Sequence, residues 1–237
     1  MGAPKRRRVK HASSRPSWFT RAILSIFAVA TTTLIVSSSE DADAKTPGAT
    51  YCFYGTCHRV KTLTETEALV GTDMTLSASF YDDCRRDRLN PCGLTSSGER
   101  FDSSSPNNAA SPIFPDGTKL LVWSPENGQA AEIRVNNAGP YWGGRKLDVS
   151  SAAARLLGFA HRGVARLKVR VLEAPTKAEA TYSKNRHYQP VKGSIGSYAG
   201  MEMAAAGFSA LSGLEMVASS MLAPVASNAQ IVADGSM

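Results

Sequence analysis

The sequence is poor in the features that mark several large classes of protein. Its 237 residues include only four cysteines, too few for a disulfide-dense mini-protein. The 19 glycines and 12 prolines do not give a collagen-like composition, and the overall composition is not that of a coiled coil. A chain of this length corresponds to one domain with extensions or to two small domains.

The chain has little excess positive charge outside its N-terminus. The net charge is +7, but residues 1–44 hold seven of the 27 Lys and Arg residues and three of the 20 acidic ones. The rest of the chain therefore has 20 basic and 17 acidic side chains. So small an excess gives no general capacity to bind phosphate backbones, and we expect no nucleic-acid partner.

The N-terminus lacks an apolar run long enough to cross a membrane. The run over residues 22–36 has 15 residues, fewer than the roughly 20 that span a bilayer. It follows a basic region that ends at Arg21 and precedes the small-x-small sequence Ala-Asp-Ala at 42–44. These features predict a signal peptide over residues 1–44 and export to the periplasm or cell envelope. The alternative is an uncleaved signal, which would attach the protein to the membrane. We expect no other membrane attachment, because a lipoprotein requires a cysteine directly after the apolar run and none directly follows it here.

All four cysteines follow the predicted signal peptide and would meet an oxidising compartment. Four cysteines allow three pairings, and the local pairs Cys52–Cys57 and Cys84–Cys92 are our prediction. Zinc binding is the alternative, because His58 adjoins Cys57. The C-x4-C and C-x7-C spacings differ from the paired C-x2-C of zinc ribbons, so we predict no metal and no cofactor.

Alternating apolar and polar residues predict several short strands between residues 75 and 172. Asn127-Gly128 favours a hairpin between the predicted strands 119–123 and 131–135, because both residues tolerate positive φ. Ser150 is a predicted cap of a helix that ends near Gly158. The predicted strands are residues 75–81, 119–123, 131–135, 145–148 and 164–171. About five short strands and one helix indicate a small β-barrel.

The sequence on either side of residues 75–172 is less regular. The lead-in, residues 45–74, contains the first cysteine pair and a short predicted helix. The tail, residues 173–237, is rich in Ala, Ser, Gly and Met. Gly207 and Gly213 each weaken a helix by about 1 kcal/mol, so we expect the tail to be disordered or marginally helical. The alternative is a helix that binds an envelope or division protein.

Three motifs in the central segment resemble those of a known family. They are GLTSSGERFD at residues 93–102, RVNNAGPY at 134–141 and GRKLDVSSAAARLLG at 144–158. In this order and spacing they resemble the rare lipoprotein A (RlpA) family of bacterial cell-envelope proteins, which includes septal lytic transglycosylases that cut peptidoglycan glycan strands. The resemblance implies a mainly β fold, a six-stranded double-psi β-barrel with one or two short helices.

The resemblance also implies a set of site residues. The family's acidic residue in its Gly-Glu motif corresponds to Glu99, and its later aspartate corresponds to Asp148, so both are expected to be catalytic. The family's histidine corresponds to Ser111 and its second acidic residue to Asn137, so two titratable groups are missing. The residues expected to bind substrate are Asn136, Asn137, Tyr141, Trp142 and Arg145.

Each of these residues also has a structural interpretation. Glu99 can be an exposed turn residue, and Asp148 can stabilise the N-terminus of the following helix. Asn136 and Asn137 can hydrogen-bond to the turn backbone, and the aromatic residues can belong to a small core.

The implied reaction needs only one well-placed carboxyl group. Its acid form protonates the glycosidic oxygen, and the resulting carboxylate removes the proton of the muramic acid 6-hydroxyl, which closes an anhydro ring. We therefore expect lytic cleavage of glycan strands, weakened by Asn137 and Ser111. The alternatives are a non-catalytic, peptidoglycan-binding or expansin-like wall-loosening module, and an envelope interaction protein with the barrel as scaffold.

We predict that the exported protein begins at Lys45, because signal peptidases cleave after small-x-small sequences. N-terminal sequencing of the protein from the envelope fraction checks this. A start at Met1 or a fatty-acylated Cys52 would contradict it.

Overall fold

The computed structural model describes residues 45–53, 55–87 and 93–222. The predicted signal peptide over residues 1–44, the predicted disulfide partner Cys92 and residues 223–237 lie outside the described residues.

The lead-in forms a disulfide-closed hairpin followed by a short helix. Strands β1 (Thr50–Phe53) and β2 (Thr56–Arg59) pair antiparallel, and the directly opposite Cys52 and Cys57 form a disulfide. This local pair is confirmed, and its sulfur atoms are therefore not zinc ligands. Helix α1 (Leu63–Glu67) begins with a reciprocal capping box between Thr62 and Glu65. Cys84 is also disulfide-bonded, while its pairing with Cys92 stays a prediction.

Six strands close into the predicted barrel. They are β3 (Asp73–Tyr81), β4 (Asn108–Ala110), β5 (Lys119–Trp123), β6 (Gln129–Asn137), β7 (Leu147–Ser150) and β8 (Val164–Glu173). The order around the barrel is β3, β8, β5, β6, β4 and β7, and β7 pairs again with β3. The β3–β7 and β4–β6 pairs are parallel and the other four are antiparallel.

The barrel interior is filled by aliphatic residues from alternating positions of these strands. Leu120 and Val122 of β5 are fully buried in this core, and Phe114 and Phe159 fill it from the adjoining loops. Leu121, between the two β5 residues, points to the other face and belongs to a second, smaller cluster. Both faces of β5 are therefore covered, which explains why its sequence is a continuous apolar run.

Helix α2 (Ser151–Leu156) follows β7 without a loop. Ser150 is its N-cap, and the Ser150 hydroxyl accepts a hydrogen bond of 3.1 Å from the backbone N–H of Ala153. Gly158 has φ +81°, as expected for a glycine that ends a helix. The predicted cap and stop are thus both present, whereas the three-residue strand β4 was not predicted.

The tail differs from the expectation of disorder or a marginal helix. It forms helix α3 (Lys177–Ala180), strand β9 (Gly193–Ser197) and the 22-residue helix α4 (Met201–Leu222). Strand β9 pairs antiparallel with β6, and Met201 and Ala204 pack with Leu121 in the second cluster. A Cβ at Gly207 would lie 2.4 Å from the Tyr198 hydroxyl oxygen, so this glycine permits close packing of α4. Among the described residues, no helix is both long and apolar enough to span a membrane.

Candidate active site

A cavity of about 400 Å³ opens on the barrel where β3, β4, β6 and β7 meet. Its lining is mainly apolar and aromatic, and it includes two charged side chains, Asp148 and Arg145. Five of the residues predicted from the sequence line it: Asn137, Tyr141, Trp142, Arg145 and Asp148. The structure therefore brings together one predicted catalytic residue and four of the predicted substrate-binding residues.

Asp148 is positioned by the parallel pairing of β7 with β3. Its register partner is Ser79, whose hydroxyl donates a hydrogen bond to Asp148 Oδ1. Burial raises the pKa of the Asp148 carboxyl to about 6, although the Ser79 hydrogen bond and the charge of Arg145 oppose the shift. The carboxyl group is thus partly protonated near neutral pH, as a general acid requires.

Asn137 forms one wall of the cavity at the end of β6. Its Oδ1 atom accepts hydrogen bonds from the backbone N–H groups of Ser96, at 3.1 Å, and Ala138, at 2.9 Å. The Asn137 side chain therefore joins the first and second sequence motifs. An aspartate at this position could accept both of these hydrogen bonds, since a carboxylate has two acceptor oxygens.

The aromatic residues of the loop after Gly139-Pro140 differ in exposure. The Tyr141 ring packs against Phe53 of the lead-in hairpin with ring centroids 4.0 Å apart. The Tyr141 carbonyl oxygen lies 3.3 Å from His58 Nε2. Trp142 is 46% exposed, so part of its indole ring remains available for stacking on a sugar face.

Glu99, the first predicted catalytic residue, lines a separate polar groove of about 230 Å³. Its Oε2 atom accepts a hydrogen bond of 2.7 Å from Asn136 Nδ2. Asn136 is only 1% exposed and does not line the larger cavity. Arg134 and Tyr188 line the same groove as Glu99, and Tyr188 comes from the tail. The two predicted catalytic carboxylates therefore line different depressions.

Two charged residues near the site were not predicted from the sequence. Lys45 Nζ and Asp116 Oδ1 form a buried ion pair at 2.8 Å. Neither residue belongs to a periodic segment or to one of the three motifs, so no pattern in the sequence indicates their contact. In the described ranges, no cluster of three or more His, Cys, Asp or Glu side chains is suited to hold a metal ion.

The closed six-stranded ring with two parallel pairings defines the described core as a double-psi β-barrel. A family model described as lytic transglycolase matches residues 73–169. This segment therefore belongs to that family and is a domain of the RlpA type, as the sequence motifs predicted.

Curated relatives agree with this assignment over the same segment. The probable endolytic peptidoglycan transglycosylase RlpA of Nostoc sp. is 40% identical over 78 residues, which cover 33% of this chain and 21% of that protein. The endolytic peptidoglycan transglycosylase RlpA of Neisseria meningitidis serogroup A is 36% identical over 91 residues, or 38% of each chain. The matched part of the chain thus spans from about a fifth to about two fifths of these relatives.

Two solved structures are similar at a much lower level. The Streptomyces papain inhibitor has a TM-score of 0.35 and 22% identity, covering 44% of this chain and 97% of that chain. The apo expansin of Clavibacter michiganensis has a TM-score of 0.31 and 18% identity, covering 44% and 52%. Similarities of this size support no conclusion about function.

The raised pKa of Asp148 predicts a pH-dependent stability. The pKa of about 6 in the folded protein exceeds the ordinary value of 3.8, so the folded state holds the proton more tightly than the unfolded state. The free energy of unfolding should therefore decrease between about pH 4 and pH 6. Above that range this group should cause no further decrease. The Asp148→Asn variant should be more stable than wild type by up to about 3 kcal/mol at pH 8, and the difference should largely vanish at pH 4.

Urea denaturation at the two pH values measures this difference. Glu67→Gln, which neutralises an exposed carboxylate at the end of α1, is the matched control and should change stability by less than about 0.5 kcal/mol at either pH. Equal stability of Asp148→Asn and wild type at pH 8 would contradict a raised pKa.

Proposed function

We propose that the barrel domain cleaves peptidoglycan glycan strands by endolytic lytic transglycosylation, with Asp148 as the proton donor. The observation that carries the proposal is a carboxyl group with a pKa of about 6 in an aromatic-lined cavity. The relatives over this segment are named as peptidoglycan transglycosylases, which supports the same substrate class.

The proposed reaction uses the Asp148 carboxyl group twice. In its protonated form it donates a proton to the glycosidic oxygen as the bond to the anomeric carbon of muramic acid breaks. The carboxylate then accepts the proton of the 6-hydroxyl as its oxygen bonds to that carbon, which gives a 1,6-anhydro product. The hydrogen bond from Ser79 and the positive charge of Arg145 stabilise the carboxylate between the two steps.

The remaining predicted residues have binding roles in this proposal. Tyr141 and Trp142 stack on sugar faces in the cavity, and Asn137 forms one wall of the cavity. Glu99, in the separate polar groove, binds hydroxyl groups of the same strand, and Asn136 orients it through the 2.7 Å hydrogen bond. Glu99 was the first choice of proton donor on the sequence motif alone. The cavity and the pKa of Asp148 favour the second carboxylate instead.

The alternative function is non-catalytic binding or loosening of the cell wall. Its support is the loss of the two family groups at Ser111 and Asn137. Ser111 is fully buried, and its hydroxyl donates 2.9 Å to the backbone carbonyl of Lys146, so it has no acid-base role in the cavity.

We also propose that the protein acts outside the cytoplasm, in the periplasm or elsewhere in the cell envelope. The proposed substrate lies there. The Cys52–Cys57 disulfide is of a kind that persists in oxidising compartments.

Digestion of purified sacculi, with mass analysis for anhydromuramic products, tests the reaction. Asp148→Asn should lower the rate by about 10²–10⁴-fold, because it removes the proton donor and nearly preserves the shape. Glu99→Gln should weaken binding of glycan strands with a smaller effect on the rate at saturation. Glu67→Gln is again the control and should cleave at the wild-type rate.

Two outcomes would contradict the proposal. Equal product from wild type and Asp148→Asn would remove this carboxyl group from the reaction. Binding of sacculi without any product from the wild type would support the non-catalytic alternative.

We further propose that helix α4 binds a second protein of the cell envelope. Met203, Leu214 and Met216 on this helix are 58%, 68% and 70% exposed, so their apolar side chains are available to a partner. A photo-crosslinking residue at Leu214 should form one defined adduct in the envelope, and the same residue at the exposed Lys168 of β8 should not. No adduct at Leu214, or the same adducts at both positions, would contradict this role.

A further inference from the structure

The ion pair between Lys45 and Asp116 is almost completely withdrawn from water. Their side chains are 3% and 1% exposed. A buried ammonium group is costly unless each of its donors has a partner. Lys45 Nζ meets this condition: it contacts Asp116 and donates 3.0 Å hydrogen bonds to the carbonyl oxygens of Ser111 and Asn137. Burial lowers the pKa of the Lys45 ammonium, and Asp116 opposes that shift.

These contacts form a closed ring around Asn137. Asp116 Oδ2 accepts a hydrogen bond of 2.7 Å from the Ser96 hydroxyl. The Ser96 backbone N–H then donates to Asn137 Oδ1 at 3.1 Å. Lys45 thus binds the backbone carbonyl of Asn137 directly. It also fixes the Asn137 side chain indirectly, through Asp116 and Ser96.

The ring also reaches the segment that carries Glu99. Ser96 lies in a tight turn in which the Thr95 N–H donates 2.8 Å to the Glu99 carbonyl oxygen. Lys45 itself does not line the 400 Å³ cavity and is too buried to touch a substrate. Any effect that it has on a reaction must therefore act through the residues it holds.

We propose that Lys45 is a positioning residue: with Asp116 it fixes Asn137 and the 95–99 turn in the geometry that the cavity requires. Lys45 precedes the segment that matches the family, residues 73–169, so the lead-in completes the site of this chain. The expected effect on the rate rests on the proposed function, whereas the effect on geometry does not.

A pair of variants separates positioning from folding. Lys45→Met alone leaves the Asp116 charge buried without its counter-ion and should lower the melting temperature by about 10 °C or more. Lys45→Met combined with Asp116→Leu removes both charges, and its melting temperature should return to within a few degrees of wild type. Lys168→Met, which removes an exposed lysine of β8, is the control and should change nothing.

The double variant provides the decisive readouts. Amide hydrogen exchange at Ser96 and Ala138, the two donors to Asn137 Oδ1, should become at least about tenfold faster, because the ring no longer holds their acceptor. Turnover at low concentrations of soluble glycan strands should fall at least about tenfold, mainly through a higher KM, because Asn137 and Glu99 have binding roles in the proposed function. If the pair serves only stability, the double variant should instead show wild-type stability, exchange rates and turnover together.

Each other outcome has a defined meaning. Wild-type exchange rates in the double variant would overturn the positioning role, and so would a double variant that does not fold, since the pair would then be needed for folding. Faster exchange with unchanged turnover would overturn the link to catalysis. If the wild type gives no anhydromuramic product, the proposed function fails, and the exchange rates alone still decide whether Lys45 positions Asn137.

Discussion

Closure of the barrel by β4 is the constraint on which the site depends. This strand has three residues, yet it pairs parallel with β6 and antiparallel with β7. Its last residue, Ala110, stands opposite Asn137 on one side and Asp148 on the other. Two residues from separate motifs are thereby brought to one cavity, and the small Ala110 side chain leaves that cavity open.

The chemistry of the cavity follows from where its charges lie. Asp148 is surrounded mainly by apolar and aromatic residues, so loss of its proton is unfavourable and its pKa rises. The Lys45–Asp116 pair lies behind the cavity wall, where the two charges are satisfied by each other and by backbone carbonyls and a serine hydroxyl. The Asp148 carboxyl group therefore remains available for proton transfer, while the buried Asp116 carboxylate has a structural role.

The sequence predicts those parts of the fold that are marked by alternating apolar and polar residues or by a helix cap. Strand β5 has the predicted bounds, and the cap at Ser150 is present, because alternation and capping are local signals. Strand β4 is too short to show a period, and β9 forms because β6 offers it a partner. The division of the site has a simple cause: Asn136 and Asn137 are consecutive residues of a strand, so their side chains point to opposite faces, one toward Glu99 and the other into the cavity. No local sequence pattern indicates the role of Lys45, because that role arises from contacts with residues far away in the chain.

In the proposed reaction a protonated Asp148 starts cleavage, so the cleavage rate must depend on pH. The rate of anhydromuramic product formation at low, subsaturating glycan, which reports the free protein, should be nearly constant below about pH 6, the pKa of this carboxyl group. Above that pH it should fall by about tenfold per unit, because only the acid form can donate the proton. A rate that stays constant up to pH 8 would mean that the Asp148 carboxyl group is not the proton donor.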